Sequence, residues 1–388
     1  MNRRERLMNT LQGKPVDRPA ACFYEINGLD EKKNDTDPFN IYSHPSWHPL
    51  IDLAREKSDR IVMRSVSFKE KKKKANTLWN PEERLATGDT EPKTENYMEN
   101  GSRLAKTTIK TDSGILTSIT RRDPDVNTTW TIEHLLKNTD DLKAWIDLPE
   151  NELSGAPDIS GVLEAEKELG DTGIVMINSP DPLCCVAPLL DMAEFTIIAL
   201  TEQKLFHKAL EKASRSLHAK TEAVAKALPG RLWRICGPEY AAPPYLPPHL
   251  FEEYVVKYIS PMIESIQKYG GYARIHSHGM LKDILGHIAS TGCDALDPIE
   301  PPPQGDVELK YVRKNYGKNM VLFGNLEASD LENLPADRFS EKVKRALDEG
   351  TSGEGRGFVL LPSACPYGRE LSSVAMRNYE KIIECIEN

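Results

Sequence analysis

Eight short apolar stretches alternate with segments of helical character, and this alternation limits the possible folds more than any other feature of the chain. The stretches cover residues 20–26, 59–66, 172–179, 231–236, 271–276, 293–298, 319–325 and 357–363. Strands that alternate with helices form a parallel sheet, and eight such units close into a barrel. We therefore expect an α/β protein with a (β/α)8 TIM barrel. The 388 residues fit one such domain, spanning residues 1–388.

The alternation is interrupted between the second and third predicted strands. Residues 67–130 include the stretch AKTTIKTDSGILTSITRRD, in which apolar and polar residues alternate around a Ser-Gly turn. This period of two residues is typical of an antiparallel hairpin. No flexible linker bounds the stretch, so we predict a β-hairpin insertion within the barrel domain and not a separate domain.

Charge and apolar runs argue against several classes of protein. The net charge is -9 and the pI is about 5.6, whereas a surface that binds nucleic acid needs excess Lys and Arg. The basic run Lys69–Lys74 is short and is expected to be a solvated loop, with a docking patch for an acidic partner as the alternative. The sequence has neither an apolar run of about 20 residues nor the apolar core of a signal peptide. We therefore expect a cytoplasmic protein without nucleic-acid or membrane partners.

Metal-binding side chains follow the predicted strands, where barrel enzymes place their active sites. The sequence RIHSHG, residues 274–279, sets His276 and His278 two residues apart, so both imidazoles face the same side of an extended segment. Cys365 follows the eighth strand, and an odd total of seven cysteines predicts free thiols. Two imidazoles and a thiolate suit a catalytic zinc ion, which keeps a fourth position open. The alternatives are a proton relay and a pair of histidines that order the loop through hydrogen bonds.

Other polar residues near the strand ends complete the set of candidates. Glu239, in CGPEY, is expected to be a metal ligand, a general base or the charge of a loop. Asp297 and Glu300 precede a proline-rich loop and are expected either to fix that loop or to contact substrate. The adjacent Cys184 and Cys185 are expected to pack in the core. Further residues expected to bind substrate are Tyr24, Glu25, Tyr240, Asn325 and Tyr367.

Together these motifs resemble the uroporphyrinogen decarboxylase superfamily, which includes cobalamin-dependent methyltransferases. The resemblance covers nearly the whole chain. It rests on GKPVDRPA after the first helix, SPDPLCCVAPLLDMAEF, RIHSHGMLKDILGHIASTGCDALDPIE, VLFGNLEASDLENL and the terminal FVLLPSACP. It implies the (β/α)8 barrel independently of the count of strands.

Two positions in the chain distinguish the branches of this superfamily. Uroporphyrinogen decarboxylases carry an Arg-rich segment after the first strand, but here the segment reads FYEINGLDE and is poorly matched to a substrate with many carboxylates. The methyltransferase branch holds zinc through a His-x-Cys pair and a Cys near the C-terminus. Carried over, these ligands fall on His276, His278 and Cys365, with histidine where cysteine is expected. A neutral imidazole in place of a thiolate makes zinc a stronger Lewis acid, which suits an ether as the methyl donor.

The resemblance therefore implies a zinc-dependent methyltransferase of the O-demethylase type. Its methyl donor is expected to be a methoxylated aromatic compound, and its acceptor the Co(I) of cobalamin carried by a separate corrinoid protein. Glu239 is an alternative zinc ligand, and Glu239 and His276 are the expected catalytic groups. The alternatives are methyl transfer from a methylated corrinoid protein to a thiol, a metal-free decarboxylase, and a catalytically silent barrel that binds a corrinoid or a partner protein. A homodimer is compatible with the sequence.

Overall fold

Eight parallel strands form the central sheet and follow one another around it. The computed structural model describes residues 1–68, 92–150 and 155–387. The strands are β1 (Ala20–Ala21), β2 (Arg60–Arg64), β3 (Gly173–Pro180), β4 (Leu232–Cys236), β5 (Tyr272–Ser277), β6 (Ala295–Pro298), β7 (Val321–Leu326) and β8 (Phe358–Pro362). Their order is β1-β8-β7-β6-β5-β4-β3-β2, and Asp59 N donates to Ala21 O at 2.7 Å, which joins the two ends. The predicted (β/α)8 barrel is confirmed.

The first strand is shorter than residues 20–26, the range predicted from the sequence. Its ladder with β8 covers only Ala20 and Ala21. Tyr24 then adopts a φ of 56°, in the left-handed region, and turns the chain out of the extended conformation. The turn brings Tyr24 to the carboxyl end of the barrel, where its side chain becomes part of the candidate site.

Helices surround the barrel, and the first of them lies at its amino end. Within the described residues they are α1 (Arg3–Leu11), α2 (His48–Lys57), α3 (Thr139–Asp147), α4 (Ser160–Leu169), α5 (Pro182–Val186), α6 (Met192–Thr201), α7 (Gln203–Ala227), α8 (Pro248–Phe251), α9 (Lys257–Lys268), α10 (Leu285–Ser290), α11 (Leu309–Asn315), α12 (Ala328–Asn333), α13 (Ala336–Gly350) and α14 (Ser373–Glu387). A π-helical turn, Glu252–Val256, joins α8 to α9. The long α7 ends before Pro229, and Gly230 adopts a φ of 77° just beyond the helix end.

Helix α1 closes the amino end of the barrel. Its Leu7 and Leu11 are buried in the same apolar cluster as Ile61, Ile174 and Leu232, which line the inside of the strands. A larger apolar cluster fills the space between the strands and the surrounding helices. Because one end of the barrel is filled by α1, the carboxyl end of the strands is the end at which a ligand can enter.

A four-stranded antiparallel sheet lies between β2 and β3 in the chain. Its strands are Lys93–Glu99, Ser102–Thr111, Gly114–Arg122 and Thr129–Glu133. Residues Ser67–Phe68 pair separately with Pro157–Asp158. The predicted hairpin strands are the two central strands of the larger sheet. Residues 69–91 of the predicted insertion, including the basic run Lys69–Lys74, lie outside the described residues.

The described residues contain neither a single membrane-spanning helix nor a disulfide. No single helix in the described ranges is long and apolar enough to cross a membrane. In these ranges, only Pro182–Leu189 and α6 taken together have the required length and composition, and the two meet at a bend of 118°. All seven cysteines are free thiols, as the odd count predicted.

Candidate active site

Two imidazoles at the end of β5 are each held by a carboxylate from the following segment. His276, whose side chain is 3% exposed, lies with Nδ1 2.9 Å from Asp297 Oδ2. His278 lies with Nδ1 2.9 Å from Glu300 Oε1, and its side chain is 36% exposed. The two rings are nearly perpendicular, with centroids 4.6 Å apart. Carboxylates that bind Nδ1 in this way orient metal-ligating histidines and leave Nε2 as the donor atom.

Buried charges set the protonation of His276. Burial and the Arg234 guanidinium lower the pKa of His276 to about 3, against the opposing charge of Asp297. Burial alone would raise the pKa of Asp297, but Arg274 and His276 lower it to about 2. Arg274 Nε lies 3.0 Å from Asp297 Oδ1, and both side chains are almost fully buried. At neutral pH, His276 is therefore a neutral imidazole that donates from Nδ1 to an ionised Asp297, and its Nε2 carries a lone pair.

His278 is in a different electrostatic environment. Burial by itself would lower its pKa, but the hydrogen bond to Glu300 and the charge of that carboxylate raise it. Glu300 also accepts a hydrogen bond from Gly279 N at 3.2 Å, which fixes the carboxylate beneath the loop. The two candidate ligands therefore differ in exposure and in the direction of their pKa shifts although they are two residues apart: His276 is enclosed, and His278 is partly exposed.

Glu239 lies on the loop after β4 and is electrostatically coupled to His278. Its Oε2 accepts a hydrogen bond from Gly237 N at 3.0 Å. Burial raises the pKa of Glu239, and the charges of His278 and Arg234 oppose that rise. Asp181, at the end of β3, is fully buried, and burial and the charge of Glu239 raise its pKa well above the usual range. A carboxyl group with a raised pKa keeps its proton closer to neutral pH and can act as a general acid.

Gly237 allows β3 and β4 to approach each other at their carboxyl ends. Its φ is 123°, and a Cβ at this position would lie 2.3 Å from both Asp181 Oδ1 and Cys184 Cβ. We expect Gly237→Ala to lower the free energy of unfolding by about 1–3 kcal/mol, through backbone strain and this clash. Chemical denaturation checks the value. Gly286→Ala is the control, because a Cβ there meets no atom within 4 Å, and an equal loss in both variants would contradict the explanation.

Cys365 lies beside Glu25 and has no hydrogen bond to either imidazole within the described part of the chain. Its Sγ is 3.7 Å from Glu25 Oε2. Burial and the charge of Glu25 raise the pKa of the Cys365 thiol well above its usual range. In this arrangement Cys365 is a protonated thiol.

The remaining predicted substrate residues are distributed over different surroundings. Tyr240 is partly buried and packs edge-on against Phe195, with centroids 6.0 Å apart. Asn325 lines a cavity beside α13 together with Glu327 and Lys342. Tyr367 is 56% exposed. The structure therefore brings Tyr24, Glu239, His276 and His278 together and places Cys365 with Glu25, whereas Asn325 and Tyr367 have other neighbours.

Three residues inside the barrel extend this network and were not predicted from the sequence. Arg234 of β4 donates from Nη1 to Asn178 Oδ1 at 3.0 Å and from Nη2 to the Tyr24 hydroxyl at 3.1 Å. The same hydroxyl lies 3.3 Å from His276 Nε2. Arg274 completes the group through its ion pair with Asp297. The sequence signal that could have identified Arg234 and Arg274 was an arginine in the middle of each of two apolar strands, RLWRIC and YARIHS.

The donor atoms are of the types that bind a metal ion, but the described side chains are not arranged around a common metal position. Over the described ranges, no group of three or more His, Cys, Asp and Glu side chains is arranged to hold a metal ion. Two imidazoles with carboxylates on Nδ1 nevertheless match the chemistry of a zinc site. A third ligand from Glu239 or Cys365 requires a side-chain movement toward the imidazoles.

Comparisons with known proteins agree with the barrel and its family. A solved methyltransferase from Methanosarcina mazei is similar over 100% of this chain and 98% of its own, with a TM-score of 0.61 and 17% identity, which shows a shared fold. D-psicose 3-epimerase, solved in the presence of D-fructose, aligns at a TM-score of 0.32 and 9% identity over 59% of this chain and 92% of its own, too weakly to support an argument. No curated protein matches significantly. The family model described as uroporphyrinogen decarboxylase (URO-D) matches residues 132–367, more than half of the chain. The chain therefore belongs to the uroporphyrinogen decarboxylase (URO-D) family.

Proposed function

We propose that this protein is a zinc-dependent methyltransferase, the O-demethylase component that takes a methyl group from a methoxylated aromatic compound. The methyl group passes to the Co(I) of a cobalamin held by a separate corrinoid protein. The observation that carries the proposal is the pair of imidazoles at the open end of the barrel, each held through Nδ1 by a carboxylate. The similarity in fold to a methyltransferase supports methyl transfer as the class of reaction.

The imidazoles of His276 and His278 would hold the zinc ion, with Glu239 or Cys365 as the third ligand. When bound, zinc supplies a Lewis acid that stabilises negative charge on the ether oxygen. We favour Glu239 as the third donor, because its carboxylate interacts electrostatically with His278, whereas Cys365 is a protonated thiol beside Glu25. Cys365 remains the alternative that the family resemblance implies.

The residues of this chain also act on the leaving oxygen and on the position of the substrate. When the bond between methyl carbon and oxygen breaks, its electron pair stays on the oxygen. If Glu239 is not a ligand, its carboxyl group, whose pKa is raised by burial, can act as the general acid that gives that oxygen a proton and yields a phenol. Tyr24 provides aromatic surface beside the site, with its ring centroid 6.0 Å from that of His276, and enclosure by the barrel would hold the methoxy group in position for attack.

Removal of zinc tests this proposal. We expect the purified protein to contain zinc and to form methylcobalamin from cob(I)alamin and methoxylated aromatics. A chelator should abolish this activity and added zinc should restore it, because the imidazoles alone provide no Lewis acid. The measurements are elemental analysis and the absorbance change on methylation of cob(I)alamin.

The same assay separates the alternatives. Metal-free protein whose activity resists chelation would reject the zinc mechanism. Methylation of a thiol by methylcobalamin, with no reaction of methoxyarenes, would assign the reverse direction of transfer. Release of carbon dioxide from a substrate without any methyl transfer would identify a decarboxylase.

A further inference from the structure

A guanidinium without a direct ion-pair partner in the described residues lies inside the barrel. Arg234, the middle residue of β4, is 8% exposed. Its two hydrogen-bond acceptors, the Asn178 amide oxygen and the Tyr24 hydroxyl, are both neutral. Its Nε has no hydrogen-bond partner. Across the residues that the structure describes, no carboxylate forms an ion pair with Arg234.

The neighbouring Arg274 shows the contrast. The two arginines are paired in the ladder between β4 and β5, so their Cα atoms are in register. Arg274 has its own carboxylate, Asp297, at 3.0 Å. The other oxygen of Asp297 is bound to His276. Each oxygen of Asp297 thus faces a partner other than Arg234, and Asp297 acts on Arg234 only through its charge, without a direct contact.

A buried charge without a partner is costly for a folded protein. The cost falls when a ligand brings the opposite charge, and the planar guanidinium binds a carboxylate through two parallel hydrogen bonds. The free Nε–H of Arg234 is a donor of this kind. Both neutral partners of Arg234, Asn178 and Tyr24, are partly exposed, and Arg234 itself is 8% exposed.

Arg234 also lies next to the site of the proposed methyl transfer. The Tyr24 hydroxyl contacts both the Arg234 guanidinium and Nε2 of His276. In the ladder, Arg234 pairs with Arg274, and Cys236 pairs with His276. Arg234 is therefore one side-chain layer deeper than His276, a step of about 6.6 Å along a strand.

We propose that Arg234, with Asn178 and Tyr24, binds a carboxylate of the substrate, which makes the substrate a methoxylated aromatic carboxylic acid. The presence of a methoxy group on the substrate rests on the proposed function. The binding of the carboxylate rests on the contacts of Arg234 alone. The carboxylate occupies the deeper layer, and the methoxy group faces His276 and His278.

Equilibrium binding tests the proposal without any methyl transfer. Isothermal titration calorimetry would compare para-methoxybenzoate with the neutral para-methoxybenzamide, which has nearly the same shape. We expect the wild type to bind the acid about 10–100-fold more tightly than the amide, as for hydrogen bonds to charged groups. Arg234→Gln should remove this preference by weakening only the acid, and Arg234→Lys should retain part of it because the charge remains.

The matched control is Arg231→Gln. Arg231 precedes β4 and pairs with Glu166 at 3.0 Å outside the barrel interior, so its loss should leave both affinities unchanged. Melting temperatures of all variants show whether they fold. Unchanged binding of the acid by folded Arg234→Gln, or equal binding of acid and amide by the wild type, would overturn the proposal. If binding of para-hydroxybenzamide depends on Arg234 and binding of para-methoxybenzoate does not, Arg234 contacts the oxygen that loses the methyl group. That result would reject a carboxylate site at Arg234.

The binding experiment and the methyl-transfer assay test separate claims, so either claim can be rejected without the other. Acid binding that depends on Arg234, in a protein that transfers no methyl group, supports the carboxylate site and rejects the proposed reaction. Methyl transfer from neutral methoxyarenes, with no preference for acids, supports the reaction and rejects the carboxylate site.

Discussion

The His278→Ala variant is expected to lose more than about 100-fold in the rate of cob(I)alamin methylation, because partners that only orient a metal ligand are already worth 10–100-fold. His278 is the more exposed of the two imidazoles, with Nδ1 held by Glu300. Its removal takes away one of the two nitrogen donors, and the zinc content of the purified protein should fall with the rate. Steady-state kinetics and elemental analysis on the same preparation check both quantities.

His249→Ala is the control for this variant. His249 is exposed on α8 and is outside the contacts of the candidate site. The His249→Ala variant should keep the zinc content and the rate of cob(I)alamin methylation of the wild type. Wild-type zinc and rate in His278→Ala would show that His278 is not a ligand and would reject the proposed zinc site. Glu239→Gln and Cys365→Ser then identify the third ligand, since only the variant that removes it should lower the zinc content.

The architecture was predictable because strands of a parallel barrel are buried on both faces. Such strands are nearly continuous apolar runs, which are easily recognised between amphipathic helices. The runs at residues 319–325 and 357–363 correspond to β7 and β8, within two residues at each end. The first strand is the exception, because its end depends on the left-handed backbone of Tyr24, and a tyrosine carries no sequence signal for that conformation.

The candidate site was predictable only in part. The rule that active sites follow the strands selected His276, His278 and Glu239, which the structure brings near one another. The same rule does not say where a side chain points once the strand has ended. Tyr367, five residues beyond β8, is mostly exposed for this reason.

The arginines were missed for a different reason. Arg234 and Arg274 lie in the middle of buried strands, a position where the expected residue is apolar. Their meaning depends on partners from other strands: Asp297 of β6 neutralises Arg274, and the corresponding partner of Arg234 is absent from the described residues. Pairing across strands is a property of the closed barrel, and the order of residues along one strand does not reveal it.

This difference in pairing predicts a large loss of stability when Arg274 is replaced. The Arg274→Gln variant is expected to lose about 3–5 kcal/mol of unfolding free energy, because it leaves the buried Asp297 without its cation. Both side chains are at most 3% exposed, so water cannot replace the lost partner. The Arg274 guanidinium also packs over the Phe323 ring at 4.9 Å, and this contact is lost as well. Chemical denaturation of the variant and the wild type gives the difference.

Arg234→Gln is the matched comparison, since it removes a guanidinium from the same layer of the barrel. No carboxylate loses a partner in this variant, and the removed charge was itself costly to bury, so the loss of stability should be clearly smaller than for Arg274→Gln. Equal losses in the two variants would mean that Arg234 is held by charges of the protein, and the site would then have no need of an anionic ligand. A large loss for Arg274 and a small loss for Arg234 would show that one arginine maintains the fold and that the charge of the other is available to a ligand.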